Sequence, residues 1–216
     1  MSGWKIIRIG LAGFGLASQL PAATNHLSHV TDSVARRSLV AMRDLVSTTN
    51  FQLIGFQSVA ETRSAQLGEP LIIRTVRLDR LRLFNATSNV DALLGPETTV
   101  LYPVEVAGES RCGIRLAEFP GGWRAVMYGM PNQSRQWFLA RRSAALTAAV
   151  PEIAIFGVSV PALQVDLVGY RKGNQRFLAS ISNQPSLGLR TNEFLTATQV
   201  LVALVPFAQQ YNEQPH

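Results

Sequence analysis

Between Thr99 and Tyr128 the chain runs through apolar-rich segments, Thr99 to Val106, Arg111 to Glu118 and Trp123 to Tyr128, and glycine marks each junction: Ala107-Gly108-Glu109, then Pro120-Gly121-Gly122. Extended runs joined by glycine turns read as antiparallel hairpins, because glycine supplies the positive φ that tight turns need. Such a meander must bury at least one face, so other segments have to cover it. Thr31 to Thr48 is a first cover, with Val34, Leu39, Met42, Leu45 and Val46 at helical spacing and a cap among Thr31, Asp32 and Ser33. Asn132 to Leu146 predicts a second helix that buries Trp137, Phe138 and Ala144. Thr196-x-x-Gln199 caps a final helix with Val200, Leu201, Leu204, Phe207 and Tyr211 on its face, kinked or restarted at Pro206.

The remaining segments fill in the pattern. Phe51 to Phe56 reads as a short strand. Ser58-Val-Ala-Glu61 reads as a capping box whose helix stops at Gly68. Pro70 to Arg77 is β-branched and extended, and Asp79 can cap a short turn through Leu81, Leu83 and Phe84. Ile153 to Val158, Val165 to Tyr170 and Arg176 to Ser182 read as strands, the last two turned by Lys172-Gly173-Asn174. With 216 residues, 47% hydrophobic and 16% charged, the chain can bury one real core and is neither disordered nor a coiled coil. The expected fold is α+β: a single domain with a mostly antiparallel sheet of hairpins and a meander, packed by helices. The order helix, strands, helix, strands, helix hints at two related halves.

Residues 1–23 carry a cationic start with Lys5 and Arg8, an apolar run from Ile9 to Leu20, and a small-residue exit at Pro21-Ala-Ala23. That is the pattern of a cleavable secretory signal, and the run is shorter than the ~20 apolar residues of a spanning helix. Cleavage after Ala23 would leave residues 24–216 as the mature domain, and cleavage after Ala22 one residue more, secreted or periplasmic, with no stable transmembrane span. Within the same stretch, Ile7-Arg-Ile-Gly10-Leu-Ala-Gly13-Phe-Gly15-Leu-Ala-Ser18 resembles the first turn of dinucleotide-binding oxidoreductases. Ser18 stands where that fingerprint has its third glycine, and Asp32 to Val46 reads as helix where a second strand should end in a carboxylate.

Most familiar chemistries find no support. No pair of carboxylates is spaced to meet on one strand or helix face, and there is no G-x-S-x-G elbow. The histidines, His26, His29 and His216, all lie near chain ends. The lone Cys112 sits mid-strand between Arg111 and Gly113, which leaves open a buried thiol, a free one or a pair between chains. One metal site depends on processing. Cleavage after Ala23 would begin the mature chain Thr24-Asn25-His26, and an amine with histidine at the third position can wrap Cu(II) or Ni(II) in a square plane.

Charge is the next constraint. The formal net charge is +6, and Arg74, Arg77, Arg80 and Arg82 alternate with Val76, Leu78, Leu81 and Leu83, which reads as a solvated face of an amphipathic segment. A nucleic-acid surface would interleave aromatics for stacking, and Phe84 alone stands near, so nucleic acid is not an expected partner. Tyr102, Trp123, Tyr128 and Tyr170 lie on predicted strands, where bulky aromatics can line a concave binding face. Arg111, Arg115 and Arg124 share the meander and could receive an acidic ligand.

The run Val158-Ser-Val-Pro-Ala-Leu163, then Asp166 to Tyr170, the turn Arg171-Lys-Gly-Asn174 and a capped C-terminal helix, resembles a repeat unit of the small intermembrane-space import chaperones of plastids and their cyanobacterial relatives. Leu67-Gly68, an extended segment and Val76-x-Leu78-x-x-Leu81 are similar to another part of that unit. These motifs are packing signals over part of the chain, and no function is carried across on them. The reading that emerges is a secreted or periplasmic, non-catalytic binding or chaperone-like protein for a protein or small ligand, with no cofactor. A small envelope enzyme whose site assembles only in three dimensions is the alternative, and a nicotinamide-dependent oxidoreductase using the N-terminal glycines is a third reading.

Overall fold

The computed structural model describes residues 22–96 and 98–211, with side chains from Val30 onward. The stretch up to Pro21 on which the secretory reading rests, with its glycines, and the side chains of Ala22, Ala23, His26 and His29 therefore lie outside the described residues, as does His216. A 24-residue helix α1 (Ala22–Leu45) opens the fold, and one helical turn α2 (Phe51–Ile54) follows. Next come strands β1 (Gln66–Leu67) and β2 (Leu71–Thr75), then the short helices α3 (Leu78–Leu81) and α4 (Val90–Leu93). The meander is β3 (Thr99–Val106), β4 (Glu109–Phe119) and β5 (Gly122–Gly129), followed by α5 (Pro131–Ala148). A second meander, β6 (Phe156–Val160), β7 (Val165–Lys172), β8 (Gln175–Ser180) and β9 (Leu195–Thr196), leads into α6 (Ala197–Gln210).

Among the described residues all the strands join one nine-stranded sheet in the order β5-β4-β3-β2-β6-β7-β8-β9, with β1 paired to β3 beside β2. Every strand pair is antiparallel except β2 with β6, where Ile73 lies opposite Gly157. The two meanders thus run outward from a parallel seam, each preceded by a long helix. The expected α+β fold with a mostly antiparallel sheet is what forms. It is not the parallel, doubly wound sheet that a dinucleotide-binding enzyme would need.

Alternation of side chains along the strands assigns the helices to faces. Leu71, Ile73, Leu101 and Val168 point to one face and pack against Trp137, Ala140 and Ala144 of α5. Their neighbours point to the other face. There Val100, Val104, Ile114 and Leu116 meet Ala35, Leu39 and Met42 of α1, while Val158, Leu167 and Leu178 meet Val200, Leu201 and Leu204 of α6. A Cβ at Gly157 would stand 2.8 Å from the Trp137 ring and 2.9 Å from Ile73, so the glycine is what lets that indole lie on the sheet.

Several local expectations change. The predicted cap residues of α1 lie inside it: Ser33 Oγ donates to the Val30 carbonyl, and Thr31 hydrogen-bonds Tyr102 across the core. Phe51 to Phe56 forms α2 and not a strand, closed where the Gly55 N–H donates to the carbonyl of Phe51. The Ser58–Glu61 box forms only by half: Ser58 Oγ accepts from the Glu61 N–H, but the Glu61 carboxylate accepts from the Gln57 N–H and not from that of Ser58, and the segment is a 3-10 turn (Ala60–Ser64) that ends before Gly68. Asp79 sits within α3, where it pairs with Arg77 and does not cap. A 3-10 turn over Glu152–Ala154 delays β6 to Phe156. The Thr196–Gln199 box caps α6, which continues through Pro206; Ala208 completes its buried face, Phe207 is half-buried and Tyr211 is exposed.

Candidate functional site

A cleft of about 920 Å³ opens where α1, the Leu67–Pro70 corner, β3 and α5 come together. Its volume stands near the upper end of the roughly 300–1,000 Å³ usual for ligand sites. Asp32 and Arg36 of α1 form one wall. Arg135, Phe138, Leu139, Arg141 and Arg142 of α5 form the opposite wall, with Glu152 and Ile153 from the following 3-10 turn. Tyr102, Pro103 and Glu105 of β3 lie between.

Tyr102 ties the floor to α1. Its ring is buried among the apolar residues beneath that helix, and its hydroxyl donates to Asp32 Oδ1 at 2.6 Å while lying 2.8 Å from Thr31 Oγ1. Burial, and then the Asp32 carboxylate, hold its phenol above the usual range, so it stays protonated and serves as a fixed donor.

Arg141 is the most unusual side chain of the cleft. It projects from the buried stripe of α5 and is only 1% exposed. Its Nη1 donates to the Glu69 carbonyl at 2.6 Å and its Nε to the Glu152 carbonyl at 3.0 Å, pinning the corner and the turn to the helix. The buried Nη2 meets no hydrogen-bond partner among the described residues. Glu152 Oε2 stands 3.6 Å from Arg141 Nε, and Glu152 Oε1 stands 3.7 Å from Arg142 Nε. Burial lowers the guanidinium's affinity for its proton, and the carboxylates of Glu152, Glu69 and Glu105 oppose that shift. Glu105 is half-buried, and desolvation raises its carboxyl above the ordinary glutamate value. A Cβ at Gly68 would fall 2.4 Å from Glu105 Oε1 and 2.6 Å from Pro103 Cγ, so the corner glycine makes the space the carboxyl occupies.

The sequence-derived candidates scatter, and among them the cleft takes Tyr102. Arg111 is engaged at its margin, with Nε 2.8 Å from Glu61 Oε1 and Nη1 2.6 Å from Glu109 Oε2; these bonds, the Glu61 one foremost, raise its pKa. Arg115 is half-buried on β4, with its Nε enclosed and unpaired among the described residues. Trp123 and Tyr128 pack into the cluster beneath α1, whereas Tyr170 belongs to the cluster under α5, stacked on Phe177 at 5.3 Å and tilted against Phe194. Arg124 is exposed over the Phe119 ring at 6.0 Å. Aromatics on both faces of a pleated sheet cannot make one binding surface.

Cys112 is buried under α1, and burial alone pushes its thiol up to about 12. No cluster of three or more metal-ligating side chains occurs among the described residues; the His26 side chain falls outside them, though its backbone is helical within α1. No helix among the described residues is long and apolar enough to cross a membrane. The chain matches no protein-family model, no curated protein and no solved structure.

Proposed function

We propose that the chain is a non-catalytic, chaperone-like binding protein, exported to the periplasm or beyond, that holds a segment of polypeptide in the cleft between α1 and α5. One observation carries the reading: Leu139, 61% exposed, and Ile153, 44% exposed, stand at the rim of a large cleft whose floor is charged and fixed. Apolar side chains left in water beside a polar floor suit a ligand that alternates apolar and polar groups, as an extended peptide does. The floor is built to hold its shape. Tyr102 is locked to α1, and Arg141 is locked to two main-chain carbonyls.

The test is suppression of aggregation of a chemically denatured protein, followed by light scattering, with the Leu139→Asp/Ile153→Asp double variant beside the parent. The parent should slow aggregation at stoichiometric ratios and the variant should not. A parent without effect would overturn the reading. Export predicts that N-terminal sequencing of the protein recovered outside the cytoplasm starts at Ala23 or Thr24; an intact Met1 would remove that part of the proposal.

The alternative, a small envelope enzyme, has one observation in its favour. Glu105 carries a carboxyl raised by burial and lies near Arg141 and Arg142, an arrangement suited to a general acid. It predicts a turnover that falls as pH rises and is lost in Glu105→Gln. The binding reading predicts that the same variant still holds peptide.

A further inference from the structure

We propose that the inner end of the cleft is a carboxylate-binding site built on Arg141, and that the side chain of Glu152 occupies it as an internal stand-in which an acidic ligand displaces. The inference rests on the cleft being a polypeptide site and names the group that anchors there.

Arg141 is buried, yet its two short hydrogen bonds go to main-chain carbonyls of Glu69 and Glu152 and not to an acid. Main-chain tethers fix the fork, and the nearest acid, Glu152, pairs with it only at 3.6 Å. The enclosed Nη2, unpartnered among the described residues, is the donor that a second carboxylate oxygen would satisfy. The Glu152 carboxylate hovers 3.6 Å from Arg141 Nε and 3.7 Å from Arg142 Nε, well beyond the roughly 2.7–2.9 Å of a charge-assisted bond. With 43% of its side chain exposed, Glu152 can swing into water and open the way to the buried nitrogen. Two arginines thus share one loosely held acid, while Arg141 Nη2 keeps its N–H donors for a closer carboxylate oxygen. The full sequence carries +6, and the exported chain without Lys5 and Arg8 still carries +4, which favours encounter with acidic partners.

A carboxylate can come from a chain terminus or from an acidic side chain, so calorimetry on the full chain uses an N-acetylated leucine–serine hexapeptide in three forms. The first has a free C-terminal carboxylate, the second is its amide, and the third is the amide with one internal glutamate. At least one acid form should bind about tenfold tighter than the plain amide, as expected of charge-assisted bonds, and the tighter one identifies the source. Glu152→Gln removes the stand-in. It should tighten the preferred acid form about threefold or more and leave the amide unchanged. Arg141→Lys should abolish the discrimination, with a melting curve reporting whether it folds; should it not fold, Glu152→Gln decides. Equal affinity for acid and amide forms, or an acid form that Glu152→Gln fails to tighten, overturns the proposal while the cleft reading stands. If no form binds either protein, both are overturned.

Discussion

Gly157→Ala is the sharpest probe of how α5 seats on the sheet. The new methyl would stand 2.8 and 3.1 Å from two carbons of the Trp137 ring and 2.9 Å from Ile73 Cγ1. Both neighbours are held: Trp137 is fully buried, and Ile73 lies in a central strand. Overpacking of this kind costs about 1–3 kcal/mol. Against it, alanine reduces the entropy of the unfolded chain and returns about 0.4–1 kcal/mol. The clash wins, for a net loss of about 1–2 kcal/mol, which for a domain of this size lowers the melting temperature by roughly 2–8 °C. Urea denaturation followed by tryptophan fluorescence reads the loss. Trp137→Phe withdraws the outer ring carbons, so in that background Gly157→Ala should cost about 1 kcal/mol less, a coupling above the ~0.5 kcal/mol scatter of independent sites. A Gly157→Ala protein as stable as its parent, or strict additivity with Trp137→Phe, would refute the packing argument.

Three further outcomes follow from the burial of single groups. Cys112, with its thiol pushed up to about 12, should resist thiol reagents at pH 8 in the native protein and react at once in denaturant; rapid native labelling would place it at the surface. Tyr102 holds its proton more tightly folded than unfolded, so its contribution is complete below about pH 10 and declines as pH climbs above that, where the unfolded phenol ionises first. Tyr102→Phe should flatten that alkaline decline while lowering neutral stability by about 1.5–3 kcal/mol through the lost bond to Asp32, measured by denaturation between pH 7 and 11. Glu105 is likewise raised, so its favourable term is present below the ordinary glutamate pKa of 4.5 and is lost as pH rises through the folded value. Glu105→Gln should therefore stabilise the protein at pH 7 relative to pH 4, and a ratio unchanged from the parent would show the carboxyl to be well solvated.

Sequence reasoning worked where local chemistry and tertiary structure agree. Glycine turns located both hairpins of the first meander, Gly173 located the turn of the second, and the Thr196–Gln199 box located the start of α6 within a residue. It failed where tertiary contacts overrode local preference. Thr31 and Asp32 look like caps because short polar side chains favour helix ends, yet here they serve Tyr102, 70 or more residues away, and the chain is already helical from Ala22. Phe51 to Phe56 reads as a strand from its apolar content, but it finds no strand partner and closes on itself as one helical turn.

The cleft was harder to see for a physical reason. Its walls come from α1, the Leu67–Pro70 corner, β3, α5 and the 3-10 turn, so no motif of fixed spacing links them. One signal was nevertheless present. Trp137, Ala140, Ala144 and Ala145 set the buried stripe of α5, and Arg141 falls four residues after the tryptophan on that same stripe. An arginine at such a position must either reach water past the sheet or find acceptors inside, because an unpaired buried charge is not tolerated. Arg141 takes the second course through the carbonyls of Glu69 and Glu152, and each of those residues belongs to a segment that turns beside the cleft. The buried guanidinium therefore does more than find acceptors for its Nε and Nη1. By drawing both turns onto α5 it shapes the recess, and a chain with leucine at position 141 would keep the helix but lose the anchor that holds the two turns in place.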